Sequence, residues 1–256
     1  MDDAVRIMKV EKLQAKVYVD RAALGRAAGE AAAAKLKELL AKKPVSIIFA
    51  AAPSQNEFLE TLVAAKGIDW SRVTAFHMDE YVGLPGSAPQ SFGRWLRDRI
   101  FDKVKPGKVH YLDGMAKDSE KECARYTALL KAAPPDITCM GIGENGHLAF
   151  NDPPVADFLD PVLIKVVRLD AACRNQQVND GCFERLTDVP THAYTLTIPA
   201  LLRAQIVSVI VPGPRKANAV LTTLQGPISE ACPASALRRH PGARLYLDAD
   251  SARLVL

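Results

Sequence analysis

The chain has 256 residues, 48% of them apolar and 24% charged, an ordinary globular mixture that excludes disorder as a global description and bounds the answer to one large domain or two small ones. The 33 basic and 29 acidic residues leave a net charge of +4, and no dense Lys/Arg block supplies a nucleic-acid footprint. The longest apolar stretches, such as residues 206–211, fall far short of the ~20 residues that span a bilayer, so no membrane partner is expected.

Residues 1–20 carry Asp2, Asp3 and Glu11 without an unbroken apolar core and do not read as a secretory leader. Residues 21–43, rich in Ala, Leu, Lys and Glu, predict a helix. A β-branched run at 45–51 predicts a strand, 55–66 a second helix, and 73–78 a second strand. Residues 90–104 predict a helix, with Phe92, Leu96, Ile100 and Val104 every fourth position. Further on, 119–132 and 215–224 predict helices, and 136–142, 193–198, 206–211 and 245–248 predict strands. Short apolar strands alternating with helices point to an α/β fold, a mostly parallel sheet with helices on both faces, and we expect one three-layer domain over residues 1–256. The five cysteines (Cys123, Cys139, Cys173, Cys182, Cys232) are scattered and form no C-x-x-C pair. That argues against a disulfide scaffold or a zinc ribbon and for a cytoplasmic protein with reduced thiols.

In open α/β sheets ligands bind beyond the carboxyl ends of the strands, and three predicted strand ends carry unusual residues. The first continues into Asp79-Glu80-Tyr81-Val82-Gly83. A carboxylate closing an apolar strand is costly if buried; Asp79 reads either as a turn cap or as a general base whose pKa burial raises. Glu80 points the other way in extended chain, which suits a salt-bridged structural role, although its neighbourhood also makes it a candidate for substrate binding. The second strand end runs into Gly141-x-Gly143-x-x-Gly146-His147 and on to Asn151-Asp152-Pro153-Pro154. The glycine spacing matches a dinucleotide fingerprint, but its mid-chain position and the two prolines argue against one. The glycines, Gly143 and Gly146 among them, instead suit close approach of backbone to a small ligand. His147, with Asp152 five residues on, is an acid/base candidate, since a carboxylate fixes the imidazole tautomer. The third strand end opens a helix through Pro212-Gly213-Pro214-Arg215-Lys216, either a solvated basic turn or an anion site. His77, His110, His192 and His240 stand apart, and no metal-ligand spacing appears.

Taken together, residues 76–84 (FHMDEYVGL), Gln90-Ser91-Phe92, and residues 141–153 (GIGENGHLAFNDP) resemble the glucosamine-6-phosphate deaminase/isomerase family in order and spacing, with Pro212-Gly213-x-x-Lys216-Ala217 matching a later segment. The wider superfamily includes 6-phosphogluconolactonases, whose corresponding block reads G-x-D-G-H followed by A-S-L-F-P. The run Ala149-Phe150-Asn151-Asp152-Pro153 sides with the deaminases. The resemblance implies a modified doubly wound, Rossmann-like sheet and a sugar-phosphate substrate with no cofactor required. It leaves a homo-oligomer open. It also implies that Asp79 carries a proton between C2 and C1, that His147 assists ring opening, that Asn145 and Asp152 are its polar partners, and that Lys216 contacts phosphate. The family's glycine-rich phosphate loop reads Ala51-Ala52-Pro53-Ser54-Gln55 here, leaving Ser54 and Gln55 as the hydrogen-bonding candidates for substrate. Asp152 stands where a Glu is usual, a shorter reach expected to weaken its pairing with His147. The family's downstream phosphate arginine has no clean counterpart; Arg174 is near in sequence, among Gln176, Gln177 and Asn179. Amino-sugar phosphate isomerisation and deamination is the leading expectation. Lactone hydrolysis, which would use His147 but no C2 base, and a non-catalytic sugar-phosphate sensor are the alternatives.

Overall fold

A computed structural model describes residues 3–169, 171–179 and 181–256, with Ala172 and Gln176 described by their backbone alone, so the Gln176 side chain lies outside the described residues. The described chain opens on an antiparallel hairpin of β1 (Arg6–Val10) and β2 (Leu13–Tyr18). Helix α1 (Arg21–Leu40) follows, capped by Asp20, whose carboxylate accepts from the Ala23 N–H at 2.8 Å. Next come β3 (Val45–Phe49), α2 (Asn56–Ala64), β4 (Val73–His77) and the short β5 (Asp79–Tyr81). Helix α3 (Phe92–Leu96) runs through a π-helical turn (Arg97–Phe101) into α4 (Asp102–Val104), before β6 (Lys108–His110) and α5 (Ser119–Ala132). Then β7 (Ile137–Met140), β8 (Ile164–Arg168), α6 (Ala171–Asn179), β9 (His192–Leu196) and α7 (Ile198–Leu201) lead to β10 (Ile206–Val211). Helix α8 (Ala217–Gln225), β11 (Ala243–Asp248) and α9 (Ala249–Ala252) follow. No helix among the described residues is long and apolar enough to cross a membrane.

Eight strands form one sheet in the order β1-β2-β11-β10-β7-β3-β4-β6, parallel throughout except at the β1–β2 edge. Every residue of β3 and β7 is buried, as a strand covered on both faces requires, which is why these segments are mostly apolar, with only Ser46 and Thr138 as polar members. Alternate side chains serve two cores. Ile47, Phe49, Val73 and Ala75 pack with Leu24 and Leu36 of α1 and with Phe58 and Leu62 of α2. Ile48, Phe76, Met140 and Val209 pack on the opposite face with Tyr126 and Leu130 of α5 and with Val220 and Leu224 of α8. The result is the expected three-layer α/β arrangement.

Two expectations change. The strand expected at 193–198 does not join the main sheet; β9 is the centre of a separate antiparallel sheet, β5-β9-β8. The helix expected at 90–104 is interrupted by the π-helical turn. The small sheet matters most for the site, because it sets Asp79 opposite Thr195, whose hydroxyl accepts from the Phe150 N–H at 3.0 Å. One strand thereby fixes both the carboxylate after β4 and the loop after β7.

Candidate active site

A cavity of about 670 Å³ opens at the carboxyl ends of β3, β4, β7 and β10, and both Asp79 and His147 line it. They are not on neighbouring strands, since β3 runs between β4 and β7, but their loops face one space across it. Phe92 and Phe150, 5.8 Å apart and stacked, form an apolar wall backed by Tyr81.

Asp79 is buried, and among the described residues no hydrogen-bond donor reaches its carboxyl. Burial, and secondarily the charge of Glu80, raise its pKa well above the ordinary carboxylate range. A carboxylate so placed is a stronger base than one in water. Its backbone is held by His77, whose Nε2 accepts from the Leu112 N–H at 2.9 Å; Nδ1 therefore carries the proton and donates to the Asp79 carbonyl at 2.8 Å. Burial lowers the pKa of His77, consistent with a neutral ring committed to these two bonds.

His147 sits at the end of a tight turn in which Gly143 donates to the His147 carbonyl at 3.0 Å and Gly146 to the Gly143 carbonyl at 3.0 Å. Gly146 adopts φ +87°, and a Cβ there would fall 2.7 Å from Cys232 Sγ. The imidazole lies against Gly143, so closely that a Cβ on residue 143 would sit 2.2–2.3 Å from three ring atoms. Nδ1 approaches the Asn145 amide oxygen at 2.8 Å and Asp152 Oδ1 at 3.0 Å, and Asn145 Nδ2 donates to the same Asp152 oxygen at 2.8 Å. Both neighbours of Nδ1 are acceptors. The proton therefore belongs on Nδ1, and Nε2 keeps its lone pair for a ligand. Burial pulls the Asp152 pKa up, but the hydrogen bonds from His147, Asn145 and Cys173 outweigh it and hold that carboxyl below its usual value. The shorter side chain at position 152 thus still reaches the imidazole.

The loop carrying these groups is pinned from below. Asn151, fully buried, donates to the carbonyls of Leu148 and Leu196 at 2.8 Å each, and Ala149 on the cavity wall is held at φ +51°, a region that disfavours side chains. On the opposite rim, the Gly213 N–H donates to both carboxylate oxygens of Asp248, at 3.0 and 2.9 Å, fixing the turn that presents Lys216 to the cavity. Arg215 lies 3.4 Å from Glu144.

Of the remaining candidates, Ser54 lines the cavity, whereas Gln55 is buried behind it and donates to Ser54 Oγ at 3.1 Å and to the Ile210 carbonyl at 3.3 Å. Gln55 is a brace for Ser54. Among the described residues Glu80 has no cationic partner, and it does not line the cavity. Its carboxylate accepts from Ser91 Oγ (2.7 Å) and from the N–H groups of Tyr81, Phe92 and Gly93 (3.0, 3.2 and 3.0 Å), closing the amino end of α3. Both readings of Glu80, salt bridge and substrate contact, are therefore replaced by a capping role. Gly146, Asn145 and Asp152 likewise stand behind the cavity surface, whereas Gly143 lines it. Arg174 is spent elsewhere, donating to the carbonyls of Leu186 and Val189. Arg21, Trp95, Arg99 and Cys182 also line the cavity wall without any sequence motif to mark them, although Trp95 and Arg99 share a helical face at i, i+4.

Residues 19–155 match the family model described as glucosamine-6-phosphate isomerases/6-phosphogluconolactonase. The chain is 38% identical over 212 residues to a glucosamine-6-phosphate deaminase of Listeria monocytogenes serovar 1/2a, covering 82% of this chain and 88% of the relative. It is 40% identical over 187 residues to one of Bacillus cereus (strain AH820), covering 73% of this chain and 70% of the relative. A solved structure of a monomeric glucosamine-6-phosphate deaminase superposes with a TM-score of 0.86 at 30% identity, over 96% of this chain and all of that one. A 6-phosphogluconolactonase from Thermotoga maritima shares the fold, with a TM-score of 0.75 at 22% identity over 91% of this chain and 98% of that one.

Proposed function

The chain belongs to the glucosamine-6-phosphate isomerase/6-phosphogluconolactonase family, and within it we propose that this protein isomerises and deaminates glucosamine 6-phosphate to fructose 6-phosphate and ammonia. The observation that carries the reading is the pairing, in one cavity, of a buried carboxyl without donors and an imidazole with its tautomer set.

The chemistry follows from those two groups. Nε2 of His147 takes the proton of the anomeric hydroxyl as the ring oxygen leaves C1, and returns a proton to that oxygen, giving the open aldehyde. Asp79 then removes the C2 proton; the electron pair forms a C1–C2 double bond as the C1–O1 π bond opens, and O1 takes a proton from solvent. Returning the proton from Asp79 to C1 leaves an imine at C2. Addition of water there and expulsion of the amine give the ketose phosphate and ammonia. One carboxylate suffices for both carbon steps, because C1 and C2 lie side by side. Its raised pKa brings its basicity nearer to that of the carbon acid it must deprotonate.

Ser54 and Lys216 would meet the phosphate, Asn145 and Asp152 hold His147, and residues 1–256 act as one domain in the cytoplasm. An ammonia-release assay on glucosamine 6-phosphate tests the reading. Asp79→Asn is expected to lower kcat by about 10²–10⁴-fold. Turnover untouched by that substitution would end the mechanism. Hydrolysis of 6-phosphogluconolactone that survives Asp79→Asn but not His147→Ala would move the protein to the lactonases.

A further inference from the structure

Three arginines line the cavity, and their charges are treated differently. Arg21 pairs with Glu57 at 2.6 Å and also donates to the Pro53 carbonyl. Arg215 is 3.4 Å from Glu144. Arg99 has no carboxylate partner among the described residues. Its Nε donates to the neutral amide oxygen of Asn56 at 3.1 Å, and its guanidinium carbon stands 4.0 Å from the centroid of Trp95. The adjoining carboxylate, Asp98, is engaged by Arg94. The Arg99 guanidinium therefore faces no compensating carboxylate among the described residues, and its orientation is set by a hydrogen bond on one side and an aromatic face beneath. Asn56 begins α2, directly after the loop that carries Ser54, so the guanidinium is tethered beside that loop. Arg99 also lies within the π-helical turn, a distortion that recurs at functional sites.

We propose that Arg99 is a specificity-determining ligand for the phosphate monoester of the substrate, its terminal nitrogens supplying the paired donors that the glycine-poor 51–55 loop cannot offer through backbone alone. The identity of the monoester rests on the function proposed above; the anion site does not. A fork of two parallel N–H donors fits two phosphate oxygens, and Asn56 orients the fork without cancelling its charge. Trp95 holds the plane.

The test uses three variants of the intact chain, with glucosamine 6-phosphate as substrate and inorganic phosphate as the direct probe. Arg99→Gln should raise KM about 10- to 100-fold while kcat stays within about threefold, the pattern of lost ground-state binding. It should also abolish the rise in melting temperature that phosphate gives the parent. Arg99→Lys should fall between the two, because it keeps the charge and loses the fork. Asn56→Asp keeps the arginine and its stack but neutralises it, and should raise KM as Arg99→Gln does. The proposal is overturned if Arg99→Gln and Asn56→Asp leave KM within about twofold of the parent and phosphate still stabilises both. Should the parent fail to release ammonia while phosphate stabilises it and not Arg99→Gln, the anion site stands and the assigned reaction falls. Normal turnover with a phosphate response indifferent to position 99 leaves the reaction standing and overturns the anion site.

Discussion

Gly143→Ala isolates the placement of the imidazole from everything else in the site. The φ of Gly143 lies outside the left-handed region, so alanine meets no backbone penalty there. Its Cβ, however, would sit 2.2 Å from one atom of the His147 ring and 2.3 Å from two others, against about 3.4 Å for ordinary contact. The ring must retreat by more than 1 Å, because the wall it meets is backbone-fixed and not a flexible chain end. A shift of that size opens the Nδ1 contacts to Asn145 and Asp152, now 2.8 and 3.0 Å, and lifts Nε2 from its working position. Misplacement by about 1 Å costs on the order of 10²-fold in rate, so kcat for ammonia release should fall by that factor. The lost hydrogen bonds should cost about 1–3 kcal/mol in urea unfolding. If the damage passes through the imidazole, Gly143→Ala combined with His147→Ala should be no slower than His147→Ala alone. Full additivity in that cycle, or a Gly143→Ala enzyme as fast as the parent, would refute the close-contact argument.

Asp79 and Glu80, neighbours in the chain, should respond in opposite senses. The folded-state pKa of Asp79 is above its unfolded value, so the folded protein binds the extra proton and loses stability as pH rises from the ordinary carboxylate range through the raised pKa. Asp79→Asn should therefore be the more stable protein at pH 8, by at least about 2 °C in Tm, with the gap closing toward pH 4. A gap that widens on acidification would contradict the burial argument. Glu80→Ala strands the N–H groups of Tyr81, Phe92 and Gly93 and should lower unfolding free energy by about 3 kcal/mol or more, measured in urea. A loss below about 1 kcal/mol would mean that water reaches those donors.

Much of the architecture is legible in the chain because it is local. β3, β7 and β10 are predominantly apolar since each strand is covered on both faces, and the spacing of His147 and Asp152 in one short loop already brings them together. The small sheet is different. β5 has three residues, and its partner β9 lies more than 110 residues downstream, so no local pattern announces the pairing. Glu80 shows the same limit: its partners are backbone N–H groups of a helix whose start only folding brings near.

The layers, the strand ends and the types of group that cluster there are written in the chain, since they follow from periodicity and from residues close in sequence. Which arginine lacks a carboxylate partner, and which carboxylate stays without donors, is settled only when distant segments meet. Glu57 lies 36 residues beyond Arg21, and Asn56 lies 43 before Arg99. Charge compensation is a matter of ångströms in space, and separation along the chain does not encode it.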